Sequence, residues 1–346
     1  MRILVINPGS TSTKVAVYED ERPVLLRNIR HTADELQQYA TSFDQLPLRQ
    51  NKIVQTLEEE EIPFDFDAIV GRGGLTHPIP AGVYRVNAQM LHDTRTAIRQ
   101  HVCNLGCHIA AALASKIDHC EALIADPVIV DEMCAEARIC GSPNMSRNSV
   151  WHALNQRATA RRHALAIGRR YEDLDLIVAH LGGGITIGVH HHGRTIDVNN
   201  GLDGEGPFSP ERAGTLPSSD LIRMCFSGEY TEEELLRFVG GKAGLMAWLG
   251  TSDTREILDR IESGDEEAKL IMDAMIYHIA KGIAAQAAVL CGRYDAILIT
   301  GGLAHAEYIT SRLRERVSFI APVHIYPGEN EMEALAENAL AVLRNQ

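Results

Sequence analysis

Two glycine-containing segments of this chain occur twice, in the same order. Residues 67–75, DAIVGRGGL, align without a gap with residues 295–303, DAILITGGL. Upstream of each copy, a polar glycine turn joins two apolar, strand-like runs, at residues 3–17 and at residues 176–189. A single match between short glycine-rich strands is expected by chance. Two matches in one order favour an internal duplication.

Duplication predicts two related domains. Glycine turns bring backbone N–H groups close to a bound anion, so turns on facing walls predict phosphate chemistry in a cleft between the domains. The 346 residues suffice for two cores. We place the first domain at residues 1–150, with residues 331–346 returning to it, and the second at residues 151–330. Strands that alternate with helices indicate α/β architecture.

The composition excludes several classes of partner. A formal net charge of −13 without a compensating basic stripe argues against nucleic acid and against an anionic membrane surface. Apolar stretches are too short to span a bilayer, which predicts that the chain has no membrane segment. Seven cysteines without a CxxC pair, and a first strand with no charged leader, predict a cytoplasmic protein.

Common nucleotide-binding motifs are absent. The chain has no Walker A sequence, and its glycine cluster at residues 201–206 has the wrong spacing for a dinucleotide fingerprint. Protein-kinase motifs are missing as well. A nucleotide site built from paired glycine turns remains. The run His190-His191-His192 lies between two strand-like segments, and we interpret it as a solvated hairpin tip rather than a metal site.

Four segments resemble the acetokinase family: VINPGSTSTK at 5–14, AHLGGG at 179–184, SPERAG at 209–214 and TGGLA at 300–304. The resemblance runs over essentially the whole chain. It implies the sugar kinase/Hsp70/actin superfold, that is, two duplicated ribonuclease H-like (actin-like ATPase) domains with a cleft between them. The opening segment, the G-R-G-G after a strand and the A-H-L-G-G-G resemble the butyrate kinase branch more than acetate kinases.

The reaction implied is a reversible, direct in-line transfer of the γ-phosphoryl group of ATP to butyrate, or to a branched C4–C5 acid, which gives acyl phosphate and ADP. The resemblance also implies Mg²⁺ with the nucleotide, and a homodimer or higher homo-oligomer. Alternatives are an acetate or propionate kinase, a sugar kinase with Asp126 as general base, and a nucleotide-gated binding protein of the Hsp70/actin type.

The resemblance assigns catalytic roles to Arg72, Arg212, Asp126 and Asn7. Both arginines lie in glycine-containing turns, and a planar guanidinium can hold a carboxylate or phosphoryl group through two parallel hydrogen bonds. Asp126 and Glu331 match the carboxylates that hold Mg²⁺ directly or through water. The same features also suit ordinary structural roles, such as a strand-end turn for Asp126 and a favourable helix N-terminus for Glu331.

A further set of residues is expected to bind the nucleotide. It comprises Ser10, Ser12, Lys14, His180, Gly182, Gly183, Gly184, Gly301 and Gly302. Within this set, a buried histidine bonded only to the backbone is an equal alternative for His180, and Lys14 has the weakest case for a role beyond structure.

Two departures from acetate kinases bear on mechanism and selectivity. Acetate kinases carry H-G-T-S-H near the domain junction, whereas residues 142–147 contain no histidine, so Arg147 or Asn144 substitutes or that assistance is absent. Acetate kinases also have R-V-V-H-G-G where residues 72–77 read RGGLTH. Glycine at 74 is expected to free volume for a longer acyl chain, at ~0.8 kcal/mol per buried CH₂.

Overall fold

The computed structural model describes residues 1–97 and 100–345. It divides the chain into two compact units: unit 1 is Met1–Asp131 with Asn330–Gln346, and unit 2 is Glu132–Glu329. Of the expected returning segment, Gln346 lies outside the described residues. The boundary after Asp131 precedes the one placed at 150/151 by the sequence. Residues 132–150 lie with unit 2 because backbone bonds such as Cys134 N–H to Ile196 O, 2.9 Å, tie them to its sheet.

Each unit contains one sheet flanked by helices. The strands are β1 (Arg2–Pro8), β2 (Ser12–Glu19), β3 (Arg22–Arg30), β4 (Ala68–Arg72), β5 (Val83–Arg85), β6 (Glu121–Ala125), β7 (Asp175–Leu181), β8 (Ile185–His191), β9 (Arg194–Val198), β10 (Ala296–Gly301) and β11 (Val323–Pro327). The helices are α1 (Ala33–Gln37), α2 (Leu46–Glu59), α3 (Ala88–Thr96), α4 (Leu105–Ala114), α5 (Ala135–Arg138), α6 (Ala153–Ala166), α7 (Ser218–Cys225), α8 (Glu232–Arg237), α9 (Gly244–Leu249), α10 (Thr254–Glu262), α11 (Glu266–Ala287), α12 (Glu307–Val317) and α13 (Glu331–Arg344).

The two sheets have the same topology. Unit 1 has the strand order β3-β2-β1-β4-β6, with β5 added at the edge, and unit 2 has the order β9-β8-β7-β10-β11. In each sheet the first three strands are antiparallel to one another. The pairs within β1-β4-β6 and within β7-β10-β11 are parallel, and the edge strand β5 is antiparallel to β6. The α/β architecture predicted from the sequence is therefore confirmed.

The duplication extends to details of register. The register shift opposite β3 falls between Val17 and Tyr18, and the one opposite β9 falls between Val189 and His190, at equivalent positions of β2 and β8. The carboxylate of Asp67 accepts from Arg2 N at 2.6 Å, and its counterpart Asp295 accepts from Asp175 N at 2.8 Å. Both units thus fasten the start of the central strand to its parallel neighbour in the same way.

The central strands β1, β4, β7 and β10 are buried on both faces, as expected for strands covered by helices. In unit 2 the long α11 buries one stripe, with Met272, Ile276, Ile279 and Ile283 at helical spacing. In unit 1 the last helix, α13, packs against β1, β4 and β6 through residues such as Leu335. Among the described residues, no helix combines the length and apolar character that crossing a membrane requires.

Candidate functional site

Three residues that the sequence singled out separately meet in unit 1. Asn7 lies near the end of β1, Arg72 is the last residue of β4, and Glu331 is the first residue of α13. Asn7 Nδ2 donates to Glu331 Oε2 at 2.6 Å, and Arg72 Nη1 donates to the same oxygen at 3.1 Å. Glu331 is only 3% exposed. Because β1 and β4 are parallel neighbours, their ends deliver both donors to one carboxylate.

Asp126 follows β6, the next parallel strand, and is also buried. Its backbone has a φ of +37°, a conformation that non-glycine residues rarely adopt. Two bonds to Gly82 hold it there: Gly82 N donates to Asp126 Oδ1, and Asp126 N donates to Gly82 O, both at 2.9 Å. A side chain held at a strand end by a special backbone conformation points to a functional position.

The first polar turn joins β1 to β2 and carries the predicted Ser10, whereas Ser12 and Lys14 lie at the start of β2. Ser10 and Lys14 are exposed, and Lys14 stands opposite Asn7 in the strand register. Beneath the turn lies the buried Arg49 of α2, whose Nη1 donates to the carbonyls of Gly9, 3.0 Å, and Ser12, 3.1 Å. Burial lowers the pKa of Arg49 to about 10. The turn is thus shaped from below by a cation that sequence reasoning missed, since nothing local marks Arg49 as buried.

In unit 2, Arg212 lies against the second glycine turn. Gly182, Gly183 and Gly184 join β7 to β8, and a side chain at Gly184 would collide with the guanidinium of Arg212. That guanidinium donates through Nη1 to Gly201 O at 2.6 Å. The structure therefore brings together two features that the sequence analysis found 28 positions apart (212 − 184).

Ser209 holds the loop that carries Arg212 (residues 209–214) against the glycine turn at residues 182–184. Its Oγ donates to Gly183 O at 2.5 Å and accepts from Arg212 N at 3.0 Å. The backbone N–H of Ser209 donates to Arg212 O at 3.0 Å, which closes the loop. Sequence reasoning assigned Ser209 no role of its own, and its place at the start of the S-P-E-R-A-G segment was the available signal.

His180 of β7 is buried beside the same turn. Its Nδ1 lies 2.8 Å from Asn155 Oδ1 of α6, and because an amide oxygen only accepts, Nδ1 carries a proton. The ring stacks on His152, with centroids 3.7 Å apart and planes at 8°. Nε2 lies 3.2 Å from Glu329 Oε1, outside hydrogen-bonding alignment. Side chains, rather than the backbone alone, thus orient this histidine.

Gly301, the last residue of β10, and Gly302, the residue after it, have different surroundings. Gly301 has a φ of +92°, and a side chain there would collide with the Leu181 carbonyl. Gly301 also exchanges two backbone bonds with Gly328, at 3.1 and 3.0 Å. A Cβ at the exposed Gly302 would meet nothing within 4 Å. Gly301 shapes the strand end, whereas Gly302 leaves its backbone open to an approaching molecule.

The expectation for Gly74 is wrong. A Cβ at this position would lie 2.5 Å from Asn104 Cα and 2.6 Å from Asn104 Oδ1. The same Oδ1 accepts from Leu75 N at 2.9 Å. Glycine at 74 therefore does not free volume for a substrate, because Asn104 fills the space where a side chain would begin.

Arg147, one suggested substitute for the missing histidine, is engaged elsewhere in unit 2. Its guanidinium donates to Asp197 Oδ1 at 3.0 Å, Val198 O at 2.9 Å and Ala137 O at 2.7 Å. These bonds hold the segment before α6 against β9. Among the described residues of unit 2, the histidine that contacts His180 is instead His152, five positions further along the chain.

Comparison with known proteins gives the class first. The crystal structure of Porphyromonas gingivalis acetate kinase superimposes with a TM-score of 0.82 at 18% identity, over 99% of this chain and 99% of that one. The chain therefore has the two-domain α/β fold of an acetate kinase, and the actin-like ATPase fold expected from the resemblance is confirmed.

The family follows from sequence. The model of the acetokinase family matches residues 147–338. A protein named "Probable butyrate kinase" from Bacteroides thetaiotaomicron is 59% identical over 100% of this chain and 98% of its own length. "Butyrate kinase 1" of Clostridium acetobutylicum is 48% identical, also over 100% and 98%. This chain belongs to the acetokinase family.

Proposed function

We propose that this chain is a carboxylate kinase that transfers the γ-phosphoryl group of ATP to butyrate, or to a branched acid of similar length, giving acyl phosphate and ADP. The observation that carries the proposal is the meeting of Arg72, Asn7 and the buried Glu331 at one carboxylate oxygen. The names of two full-length relatives support butyrate as the acceptor.

Catalysis of phosphoryl transfer depends on charge neutralisation and on positioning of the reacting groups more than on covalent catalysis by the protein. Negative charge spreads over the equatorial oxygens of the transferred group, so donors fixed before the reaction stabilise it. Arg72 and Asn7 are fixed donors of this kind in unit 1. Arg212 is such a donor in unit 2, where Gly201 and Ser209 fix its place. We assign the binding of ATP and ADP to Ser10, Ser12, Lys14, His180, the glycine turn at residues 182–184 and the glycines at 301 and 302.

Asp126 and Glu331 suit Mg²⁺. Both are buried carboxylates that follow or adjoin the ends of parallel strands of one sheet, and Mg²⁺ prefers oxygen ligands with one or two carboxylates. Both hydrogen bonds to Glu331 go to Oε2, so Oε1 is not used by them. When bound there, Mg²⁺ would supply positive charge that offsets the negative charge of the phosphates.

Trapping of acyl phosphate with hydroxylamine tests the reaction. We expect ATP-dependent trapping across linear and branched acids of two to six carbons, with the highest kcat/KM for butyrate or a branched acid of four to five carbons. Sugars, assayed by ADP release, serve as controls for the hydroxyl-acceptor alternative. Highest kcat/KM with acetate would support the acetate kinase alternative, and turnover of sugars without acyl phosphate would reject the proposal.

We also propose a homodimer or larger homo-oligomer in the cytoplasm. Unit 2 exposes large apolar side chains between residues 222 and 248, among them Phe226, 87% exposed, and Trp248, 64% exposed. Such a surface is typical of a protein interface. All seven cysteines are free, which suits a reducing compartment. Light scattering coupled to size exclusion measures the oligomeric state, and a monomer at micromolar concentration would contradict this assignment.

A further inference from the structure

Three side chains of residue types that can ligate a metal lie close together at the tip of the β8–β9 hairpin. Asp175, the first residue of β7, stands opposite His191, the last residue of β8, and His192 begins the turn. One donor atom from each lies within 4.8 Å of the others. Asp175 Oδ1 is 2.6 Å from His191 Nδ1 and 4.0 Å from His192 Nε2. All three side chains are at least one quarter exposed.

We infer that this cluster, the hairpin-tip triad, binds a divalent transition metal such as Zn²⁺. Two imidazole nitrogens and a carboxylate oxygen form a three-ligand set that Zn²⁺ accepts with water in the fourth position. With zinc–ligand bonds of about 2.0–2.1 Å, tetrahedral ligand atoms lie about 3.3 Å apart. The observed 2.6 and 4.0 Å bracket this value, so small side-chain shifts suffice.

The ring of His192 is already held in a way that suits a ligand. Its Nδ1 lies 3.0 Å from the carbonyl of Glu172, which leaves Nε2 towards Asp175. Metal-binding histidines usually donate their other ring N–H to such an acceptor, and this bond fixes the tautomer and the ring orientation.

The turn itself is unusual for its residues. His192 has a φ of +48° and Gly193 a φ of +81°, as in a two-residue type I′ turn, where asparagine or glycine is the common first residue. The buried Arg157 donates through Nη1 to Gly193 O at 2.9 Å and steadies the turn. The hairpin predicted from the sequence is present, but His190 is buried within β8 rather than solvated. The inferred metal site also replaces the interpretation of this run as a hairpin tip without one. The third ligand of the triad, Asp175, lies sixteen residues before His191 (191 − 175), where no sequence motif indicates it.

The triad lies at the opposite end of β7 from the glycine turn. Six residues of β7 lie between Asp175 and Gly182, and the seven steps that join these two residues span about 23 Å at 3.3 Å per residue. A metal here would join the start of β7 to the end of β8 and stabilise unit 2. It would leave the kinase kinetics unchanged, so the inference does not depend on the proposed function.

Zn²⁺ titration of the full chain by calorimetry tests the inference, with millimolar Mg²⁺ present to occupy the proposed Mg²⁺ site. We expect one Zn²⁺ per chain, and binding at least ~10-fold weaker in each of His191→Gln and His192→Asn. Asparagine is chosen because it tolerates the left-handed backbone of the turn. At a 100-fold excess over Kd, Zn²⁺ should raise the melting temperature of the wild-type protein by about 5 °C.

The matched control is His119→Gln. His119 is an exposed histidine 3.3 Å from Asp65, and among the described residues it belongs to no cluster of three metal-ligating side chains. We expect it to bind Zn²⁺ like the wild type. Asp175→Asn gives a third measurement of the triad if either histidine variant loses its native circular dichroism. Equal Zn²⁺ affinity in all variants, or the absence of a stoichiometric site in the wild type, would overturn the inference.

Discussion

At the scale of single residues, the proposed chemistry depends on guanidinium groups held by short, directional bonds. Arg72 donates to a buried carboxylate, and Arg212 donates to a backbone carbonyl and packs on Gly184. Lysine keeps the charge at such a site but lacks the planar fork that matches a phosphoryl or carboxylate group. Shape as well as charge should therefore matter at both positions.

We expect Arg72→Lys and Arg212→Lys each to lower kcat by about 10²–10³-fold, the usual effect of removing one fixed donor at a developing charge. Initial rates of acyl phosphate formation measure this effect. Arg223→Lys is the matched control, because Arg223 is 76% exposed and pairs with Asp220 only at the surface. Wild-type rates from both lysine variants would remove Arg72 and Arg212 from the mechanism.

Gly301 and Gly302 give a second prediction, because one substitution should affect stability and the other nucleotide binding. Gly301→Ala should lower the free energy of unfolding by about 2–4 kcal/mol, because φ is positive and the Leu181 carbonyl occupies the space. Gly302→Ala should unfold like the wild type, since its Cβ meets no atom, but should raise KM for ATP. Urea titration and steady-state kinetics distinguish the two effects. An unchanged KM in Gly302→Ala would place the nucleotide elsewhere.

Gly74 shows why a glycine cannot be interpreted from sequence alone. Replacement of a branched residue by glycine suggested spare volume, but Asn104, thirty residues later (104 − 74), occupies it. Likewise, Glu331 was found only through a family resemblance, because its partner Asn7 is 324 residues away and leaves no local pattern. Local turn chemistry and strand periodicity are readable from sequence, whereas contacts between distant elements are not.

At the scale of elements, β8 packs against α6 through a buried, hydrogen-bonded histidine, His190. His190 Nδ1 lies 2.7 Å from Tyr171 Oη, and Nε2 lies 3.0 Å from Gln156 Oε1. Gln156 directs its amide nitrogen to Thr186 O at 3.0 Å, so its oxygen accepts from His190 Nε2–H. The neutral ring is thus satisfied on both sides. Burial, with smaller effects from Arg157 and Arg161, lowers the pKa of His190 to about 3.

This depressed pKa predicts acid sensitivity. The unfolded chain protonates His190 below its ordinary pKa of 6.5, whereas the folded chain keeps it neutral down to about 3. Stability from this group is therefore complete above pH 6.5 and is lost as the pH falls. We expect a loss of about 2–3 kcal/mol between pH 6.5 and about pH 4.5. Urea titrations at each pH should show a shallower dependence in His190→Gln, and equal slopes would contradict this assignment.

At the scale of the whole molecule, the chain leaves unit 1 and returns to it. The segment Asn330–Gln346 follows unit 2 in sequence but belongs to unit 1, where α13 packs on β1, β4 and β6. The presence of two domains could be predicted from the sequence, because the repeated glycine turns are local signals. The boundary after Asp131 follows from bonds such as Cys134 N to Ile196 O, which span 62 residues (196 − 134).

This arrangement predicts how local destabilisation spreads. Leu335 of α13 is fully buried, so Leu335→Ala should cost about 2–5 kcal/mol and open unit 1. Hydrogen exchange read by mass spectrometry should accelerate in α13, β1, β4 and β6 but stay at wild-type rates in β7 and β10. Ile299→Ala, at a buried position of β10, should give the reverse pattern. Because α13 joins directly to unit 2, faster exchange of β7 and β10 in Leu335→Ala would show that chain continuity, rather than packing, sets the cooperative units.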